Sequence, residues 1–257
     1  MARIFITGSS DGLGFMAAQL LAAEGHRVVL HARNPGRGKE ALSKVPGAET
    51  VITGDLSSIA ETTQIAEQVN ELGLFDAVIH NAGIGTSESK RILTIDGLSH
   101  IFAVNSLAPY ILTCLINRPK RLVYISSGLH KRGDPSIKDL NWETRSWDGM
   151  SAYSDSKLHN VILAFAVARK WPGVLSNVLE PGWVATKMGG PGAPDSLEEG
   201  SKTQVWLAVS QDKNALVSGH YFYHKKFRDF HHAASDTNIQ ERYISECTRL
   251  SGVPFPI

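Results

Sequence analysis

The sequence predicts a single α/β domain built on a doubly wound parallel sheet of about seven strands, with helices on both faces. Short runs rich in β-branched residues alternate with amphipathic stretches along most of the chain, and strands separated by helices pair in parallel. The chain has 257 residues, of which 42% are hydrophobic and 20% charged, and these values are typical of one large packed domain.

Strands and helices are predicted in strict alternation. The strands are expected at 3–7, 27–31, 49–53, 75–80, 121–126, 174–179 and 219–223. The helices are expected at 13–24, 36–45, 58–72, 97–117, 152–170 and 197–210. Gly25 is the expected C-cap of the first helix, and Ser58-x-x-Glu61 is a capping box that opens the third.

Three segments interrupt this alternation. The stretch 128–150 is long and polar, and 187–199 is rich in glycine and proline, so both are predicted to be substrate or lid loops. Residues 224–257 form a C-terminal extension beyond the last predicted strand. Its adjacent His231 and His232 project in different directions and lack a third ligand, so no metal site is expected.

Charge and composition argue against several classes of protein. Lys and Arg total 26 and Asp and Glu total 25, so no basic surface for nucleic acid or for an anionic membrane is expected. With only two cysteines the chain has no disulfide framework. No apolar run approaches the roughly 20 residues that span a bilayer, and the N-terminus does not resemble a signal peptide. We therefore expect a cytoplasmic protein.

The first strand ends in Thr7-Gly-Ser-Ser-Asp-Gly-Leu-Gly14, and a helix follows at once. Glycines at such a turn let the backbone approach a pyrophosphate, and the helix N-terminus offers free N–H groups to it. A glycine turn alone is a weak signal, but this position between the first strand and the first helix predicts a Rossmann-like dinucleotide site.

The T-G-x-x-x-G-x-G spacing resembles that of the short-chain dehydrogenase/reductase family, in its compact subclass. The resemblance implies cofactor contacts from three turns. These residues are Gly8, Ser10, Asp11, Gly12, Leu13 and Gly14 in the first turn, Asp55 and Leu56 after the third strand, and Asn81, Ala82 and Gly83 after the fourth.

The end of the second strand bears on the choice of cofactor. No carboxylate is present there to hold the ribose 2′-hydroxyl of NAD, and Arg33 just beyond the strand favours the 2′-phosphate of NADP. Asp11 argues mildly the other way, because NADP-preferring relatives often carry a basic residue before the second glycine. The prediction is NADP(H), with NAD(H) as the alternative.

Tyr153 and Lys157 lie four residues apart at the start of the long predicted helix, which puts both on one face. A nearby ammonium group lowers the pKa of a phenol, and such a phenol can exchange a proton with a substrate oxygen. A second Tyr-x-x-x-Lys copy, Tyr221 to Lys225, begins in a predicted strand, where the two groups would lie about 13 Å apart.

Other motifs of the family occur in its order. The Ser-Ser pair at the end of the fifth strand implies Ser127 as the residue that hydrogen-bonds the substrate oxygen, with Ser126 as the alternative. Asn105, a polar residue within an apolar helix, is implied to bend that helix and to hold a water beside Lys157. The turn after the sixth strand is implied to contact the nicotinamide through Pro181, Gly182, Val184 and Thr186.

The 26 positions that separate Ser127 from Tyr153 (153 − 127) are similar to the insertion of the retinol-dehydrogenase-like branch. Trp142, Trp147, Met150 and Trp183 lie in or beside the loops and could form an apolar substrate wall; ordinary loop packing is the equal alternative. We therefore predict an NADP(H)-dependent oxidoreductase that interconverts a bulky or apolar carbonyl compound and an alcohol. An NAD-dependent alcohol dehydrogenase and a non-catalytic dinucleotide sensor are the alternatives, and a homodimer, homotetramer or monomer all remain open.

Overall fold

One sheet of eight strands runs through the residues that the computed structural model describes, 1–256; Ile257, the last residue of the predicted extension, lies outside them. The strands are β1 Arg3–Ile6, β2 Arg27–Ala32, β3 Ala48–Thr53, β4 Ala77–His80, β5 Arg121–Ile125, β6 Leu175–Glu180, β7 Tyr221–Tyr223 and β8 Lys226–Phe227. Their order is β3-β2-β1-β4-β5-β6-β7-β8, and β1 to β7 are parallel. The doubly wound parallel sheet predicted from the sequence is confirmed.

The eighth strand was not predicted. It pairs antiparallel with β7 through a tight hairpin in which His224 and Lys225 have φ values of 48° and 62°. Two residues are too few to produce a strand pattern in a sequence, and non-glycine residues at positive φ give no turn signal.

Eight α-helical segments within residues 1–256 flank the sheet. They are α1 Gly12–Ala23, α2 Pro35–Lys44, α3 Ile59–Glu71, α4 His100–Phe102, α5 Ala108–Leu115, α6 Gly149–Lys170, α7 Leu197–Val209 and α8 Thr237–Ser251. Alternate strand residues face opposite layers, so Ile4 and Ile6 pack with α1, α2 and α7, and Phe5 packs with α3, α5, α6 and α8.

The helix predicted over 97–117 is interrupted. It begins only at α4, passes through a π-helical turn at Ala103–Leu107, and continues as α5. Asn105 lies in the middle of that turn and is fully buried. The interruption occurs where the sequence places a polar side chain among apolar neighbours.

Helix α8 is a second element that the sequence reading missed. Asp236 caps it by accepting from the N–H group of Asn238 at 2.8 Å, and Tyr243 and Cys247 are buried in the core shared with α6. Its apolar residues recur at helical spacing. The helical pattern was therefore present in the extension, directly after the histidine-rich stretch.

The predicted capping box at α3 forms only in part. The Ser58 hydroxyl accepts from the N–H group of Glu61 at 3.3 Å, as expected. The Glu61 carboxylate does not reach back to the N–H group of Ser58, because it accepts from the N–H group of Asp55 at 2.8 Å. The bond therefore fixes the turn after β3 to the helix that follows.

Candidate active site

Two turns at the carboxyl ends of β1 and β4 meet where the strand order of the sheet reverses. The Asn81 side-chain amide donates to the carbonyl oxygens of Thr7 and Gly8, at 3.0 and 3.2 Å. The Thr7 hydroxyl accepts from the N–H groups of Asn81 and Ala82, each at 3.0 Å. These bonds join the turns beside the crevice in which open α/β sheets bind their ligands.

Glycine is required at two positions of the first turn. Gly8 has a φ of +63°, and a Cβ there would lie 2.9 Å from the Cα of Ala82. A Cβ at Gly14 would clash with the side-chain amide of Asn81 and would lie 2.7 Å from the carbonyl oxygen of Gly8. The absence of side chains therefore brings the N-terminus of α1 close to the crevice.

The first turn of α1 provides donors for an anion. Asp11 caps the helix by accepting from the N–H group of Gly12 at 2.8 Å. The N–H groups of Leu13 and Gly14 receive no cap from it and have no partner within the helix. Free N–H groups at the positive end of a helix dipole fit the pyrophosphate of a dinucleotide.

A cleft of about 310 Å³ lies beside this helix end. Most of the predicted cofactor contacts line it, namely Gly8, Ser10, Asp11, Gly12, Leu13, Arg33, Asp55, Leu56, Asn81, Ala82, Gly83 and Thr186. Gly14 is buried behind the turn, and Pro181, Gly182 and Val184 line a neighbouring cavity instead.

Two cations that the sequence reading did not single out also line the cleft. Nη2 of Arg37 lies 3.6 Å from Oδ2 of Asp11, and the ammonium group of Lys187 forms a second ion pair with the same carboxylate. The bond from Lys187 is the main cause that lowers the pKa of Asp11. Asp11, which argued against NADP in the sequence, is thus engaged by two positive side chains.

His31 was another unpredicted residue of the cleft. Its Nδ1 accepts from the N–H group of Gly8 at 3.0 Å, and its Nε2 lies 3.0 Å from the carbonyl oxygen of Gly54. Burial lowers the pKa of His31 to about 4, so it is neutral, with the proton on Nε2. The sequence feature that could have identified this residue is a histidine within an otherwise apolar strand.

Helix α6 presents Tyr153 and Lys157 on one face at the carboxyl end of β5. The Lys157 Nζ lies 5.4 Å from the centroid of the Tyr153 ring and donates to the carbonyl oxygen of Ile125 at 3.2 Å. Ile125 is its one acceptor within residues 1–256, so two N–H donors remain available. Burial lowers the pKa of Lys157 to about 8, and the ammonium form still predominates at neutral pH.

The pKa of Tyr153 differs from the expectation. Burial raises it above its ordinary value, and the neighbouring Ser127 hydroxyl opposes that increase. The four-residue spacing predicts a pKa lowered by Lys157, but a sequence does not reveal that Tyr153 is only 8% exposed. The phenol is therefore protonated at neutral pH.

The two adjacent serines, Ser126 and Ser127, differ in the hydrogen bonds that their hydroxyl groups make. The Ser126 hydroxyl donates to the backbone carbonyl of Lys157 at 2.8 Å and so fastens β5 to α6. Both serines line a cavity together with Tyr153, but the Ser127 hydroxyl only accepts, from the N–H group of Leu129 at 3.3 Å, so its own proton remains available. This geometry favours Ser127 over Ser126 as the substrate-facing residue.

Asn105 is held by protein groups on all sides. Its Oδ1 accepts from the N–H group of Ile84 at 2.8 Å, and its Nδ2 donates to the carbonyl of Ile84 at 2.9 Å and to the Ser156 hydroxyl at 3.0 Å. The π-helical turn thereby clamps the segment after β4. A Cβ at Gly83 would lie 3.3 Å from the Nζ of Lys157, so this segment is packed against the lysine.

A second cavity, of about 550 Å³, adjoins the cleft and shares Leu13, Thr186 and Met188 with it. Among the predicted substrate residues, Met150 and Trp183 line this cavity. Glu180 and Arg228 line it as well, although the sequence reading assigned no role to either.

Trp142 and Trp147 do not line the cavity. Their rings lie 5.5 Å apart in a small separate cluster, and the guanidinium of Arg145 lies 3.8 Å over Trp142. Arg145 also pairs with the buried Asp155 of α6 at 2.8 Å. The two tryptophans therefore anchor the 128–150 loop, as the loop-packing alternative describes.

The remaining sequence features have local explanations. His231 accepts from the N–H group of Ala233 at 3.2 Å, and among residues 1–256 no cluster of three or more His, Cys, Asp or Glu side chains could hold a metal. Tyr221 belongs to β7, whereas Lys225 lies in the hairpin and is exposed. No helix in the described part of the chain is both long and apolar enough to cross a bilayer.

The chain matches one family model and is similar to known proteins in sequence and in structure. The short chain dehydrogenase family model matches residues 2–133. An uncharacterized oxidoreductase of Emericella nidulans is 47% identical, covering all of this chain and 99% of that protein. Human retinol dehydrogenase 14 is 31% identical, covering 93% of this chain and 83% of its own length. The crystal structure of an uncharacterized protein from Mycobacterium paratuberculosis matches with a TM-score of 0.87 and 26% identity, covering all of this chain and 96% of that one.

Proposed function

The chain belongs to the short-chain dehydrogenase/reductase family of NAD(P)-dependent oxidoreductases, and we propose that it reduces a bulky, largely apolar ketone or aldehyde to an alcohol with NADPH. The family and the enzyme class predicted from the motifs are confirmed by these relatives. The cofactor preference, the reductive direction, the substrate and the role of each residue belong to the proposal. A cytoplasmic location stays a prediction.

One observation carries the proposal. The hydroxyl groups of Ser127 and Tyr153 line the same cavity, and Lys157 lies buried behind the phenol with two unused donors. The cavity adjoins the cleft whose helix end and glycine turn fit a dinucleotide, and the two share Leu13, Thr186 and Met188. A proton donor, an oxygen-orienting hydroxyl and a dinucleotide cleft thus lie within one crevice.

A bound reduced nicotinamide supplies the hydride in this chemistry, and the chain supplies the proton and the orientation. Ser127 donates a hydrogen bond to the substrate carbonyl oxygen and polarises it. Tyr153 donates its phenolic proton to that oxygen as the carbonyl carbon is reduced. The raised pKa of Tyr153 keeps the phenol protonated until that moment, which suits the reductive direction.

Lys157 and Asn105 act around the transferred proton. The ammonium of Lys157 stabilises the phenolate that remains after transfer and offers its free donors to the ribose of the cofactor. Asn105 positions the segment at Gly83 and Ile84 that packs against Lys157. The water implied at Asn105 by the family resemblance stays a prediction.

The cationic side of the cleft supports NADPH. Arg33 is exposed at the end of β2, and Arg37 in the first turn of α2 lines the same cleft. An arginine at this place accommodates the 2′-phosphate that NAD lacks. The apolar side chains of Met150, Trp183 and Met188 in the second cavity support a bulky substrate.

The test is Tyr153→Phe, which removes the proton donor and keeps the ring. Initial rates of NADPH and NADH oxidation would be measured with bulky ketones, quinones, retinoid-like aldehydes and small aldehydes. We expect the turnover number to fall about 10²- to 10⁴-fold, with NADPH affinity unchanged, because general acid catalysis contributes that much.

Tyr243→Phe is the matched control, because the Tyr243 hydroxyl donates to the carbonyl oxygen of Ser106 at 3.4 Å and lines neither the cleft nor the cavity, so this variant should keep its turnover. Undiminished turnover in Tyr153→Phe would contradict the proposed mechanism. Tight NADPH binding without turnover of any carbonyl would favour the sensor alternative, and faster alcohol oxidation with NAD would favour the dehydrogenase alternative.

A further inference from the structure

An ion pair lies in the wall of the substrate cavity and has no part in the chemistry described above. Glu180 is the last residue of β6, and Arg228 follows β8 directly. Their side chains meet with 2.8 Å between Nε of Arg228 and Oε1 of Glu180. The pair thus joins the C-terminal hairpin to the cavity that contains Ser127 and Tyr153.

The two members of the pair differ in accessibility. The side chain of Glu180 is 8% exposed, whereas that of Arg228 is 47% exposed. A charged group that is buried needs a partner, and Arg228 supplies it for Glu180. Both side chains line the cavity, and the guanidinium, as the more exposed of the two, is the group that a ligand can contact more fully.

The guanidinium of Arg228 is held on one edge and on one face. Glu180 contacts its Nε, and the ring of Tyr223 lies 4.5 Å from its central carbon. Within residues 1–256, Nη1 and Nη2 have no hydrogen-bond or ion-pair partner. The two Nη nitrogens, with four N–H bonds between them, thus remain for a ligand, on a side chain that Glu180 and Tyr223 already position.

We propose that Arg228 recognises a carboxylate on the substrate, so that the substrate class is an apolar carbonyl compound that carries an acid group away from the reacting carbonyl. This inference rests on the proposed reductase function and deepens it. The fork of two N–H groups matches the two oxygens of a carboxylate. A wholly apolar ligand would instead desolvate the free edge of the guanidinium without replacing its hydrogen bonds with water.

The experiment compares two ligands that differ only in this group: 4-benzoylbutyrate and its methyl ester. Dissociation constants would be measured by isothermal titration calorimetry on the full chain with saturating NADP⁺. For the unmodified protein we expect the acid to bind at least about tenfold more tightly than the ester, as a charge-assisted bidentate contact predicts. In Arg228→Gln the two ligands should bind equally.

Two variants separate this contact from other effects. Lys131→Gln removes a nearby charge that does not line the cavity, and it should retain the preference for the acid. Arg228→Lys keeps the charge but loses the fork, and should retain only part of the preference. Thermal unfolding of each variant would verify that it is folded.

Equal binding of acid and ester by the unmodified protein would overturn the inference, as would a preference that survives in Arg228→Gln. Equal losses in Lys131→Gln and Arg228→Gln would also overturn it, since they would indicate a diffuse field rather than a contact. The proposed function is judged separately. A protein that reduces the ester through Tyr153 but does not prefer the acid would contradict this inference alone.

Discussion

The two halves of the crevice are built in different ways. The cleft beside α1 is made largely of backbone, from turns at β1 and β4 that are joined by Asn81 and packed through Gly14. The second cavity is made of side chains from separate segments, among them Ser127, Met150 and Arg228. A backbone site requires short contiguous motifs, whereas a side-chain site is assembled from positions far apart in the chain.

The largest effect on cofactor binding is expected where the backbone packs most closely. In Gly14→Ala, the added Cβ would push α1 away from the carbonyl oxygen of Gly8 and from Asn81. Overpacking of this kind costs about 1–3 kcal/mol, and where that cost displaces the helix end that holds the pyrophosphate, dinucleotide affinity should fall about 5- to 150-fold. Titration with NADPH and thermal unfolding would measure both effects.

Gly173→Ala is the matched control for that variant. A Cβ at Gly173 would have no neighbour within 4 Å, so its affinity and stability should remain those of the unmodified chain. If Gly14→Ala bound NADPH normally, the backbone-built description of the cleft would be wrong.

The next effect concerns the junction of the two halves. Burial places the pKa of Lys157 at about 8, and its charge is present below that value. The value of kcat/KM for carbonyl reduction should therefore be flat below pH 8 and fall about tenfold for each pH unit above it. Lys157→Arg keeps a charge at all these pH values, so its alkaline limb should move to higher pH, and its rate at neutral pH should be lower because the guanidinium differs in shape. An unmodified protein with a flat profile to pH 10 would contradict this role.

A smaller effect is expected at the outer edge of the cleft, where a side chain rather than the backbone selects the cofactor. Arg33→Ala should weaken NADPH binding about tenfold and leave NADH binding unchanged, because only NADPH carries the 2′-phosphate. Lys39→Ala is the control, since Lys39 is exposed on α2 and does not line the cleft. Equal losses for both cofactors would contradict the NADP assignment. Fluorescence titration of the reduced cofactors would measure the difference.

The smallest effect is expected in the side-chain half, where each residue contributes a little. Trp183→Ala should raise KM for a bulky aromatic ketone about 2- to 10-fold and leave KM for a small aldehyde unchanged. Trp147→Phe should leave both KM values unchanged and lower the unfolding temperature, because Trp147 donates to the carbonyl of Glu88 at 2.9 Å. A shifted KM in Trp147→Phe would mean that the loop cluster reaches the substrate.

This contrast also explains how far the sequence could predict the structure. The parallel sheet, the glycine turn and the pairing of Tyr153 with Lys157 follow from local patterns, and the structure contains them in the expected places. The interior position of Trp142 and the meeting of Glu180 with Arg228 depend on contacts between distant segments. No spacing rule within one segment contains that information.

Partial failures have the same origin. A capping box describes hydrogen bonds within one helix end. Here the Glu61 carboxylate accepts from the N–H group of Asp55, outside the box, instead of from that of Ser58. The pKa of Tyr153 depends first on burial, which a sequence does not give, and only then on its neighbours. Each miss therefore arose where tertiary structure overrides a local rule.

The π-helical turn at Ala103–Leu107 limits how the helical regularity of this segment can be increased by protein engineering. Such a turn corresponds to one extra residue within an α-helix, so a single deletion there would restore a regular hydrogen-bond ladder. The same deletion would remove the widened turn that holds Asn105 and release Asn105 from Ile84, while the flanking turns would keep their directions. The irregularity is thus a constraint on sequence change: a regular helix at this place would lose the contacts by which Asn105 holds Ile84.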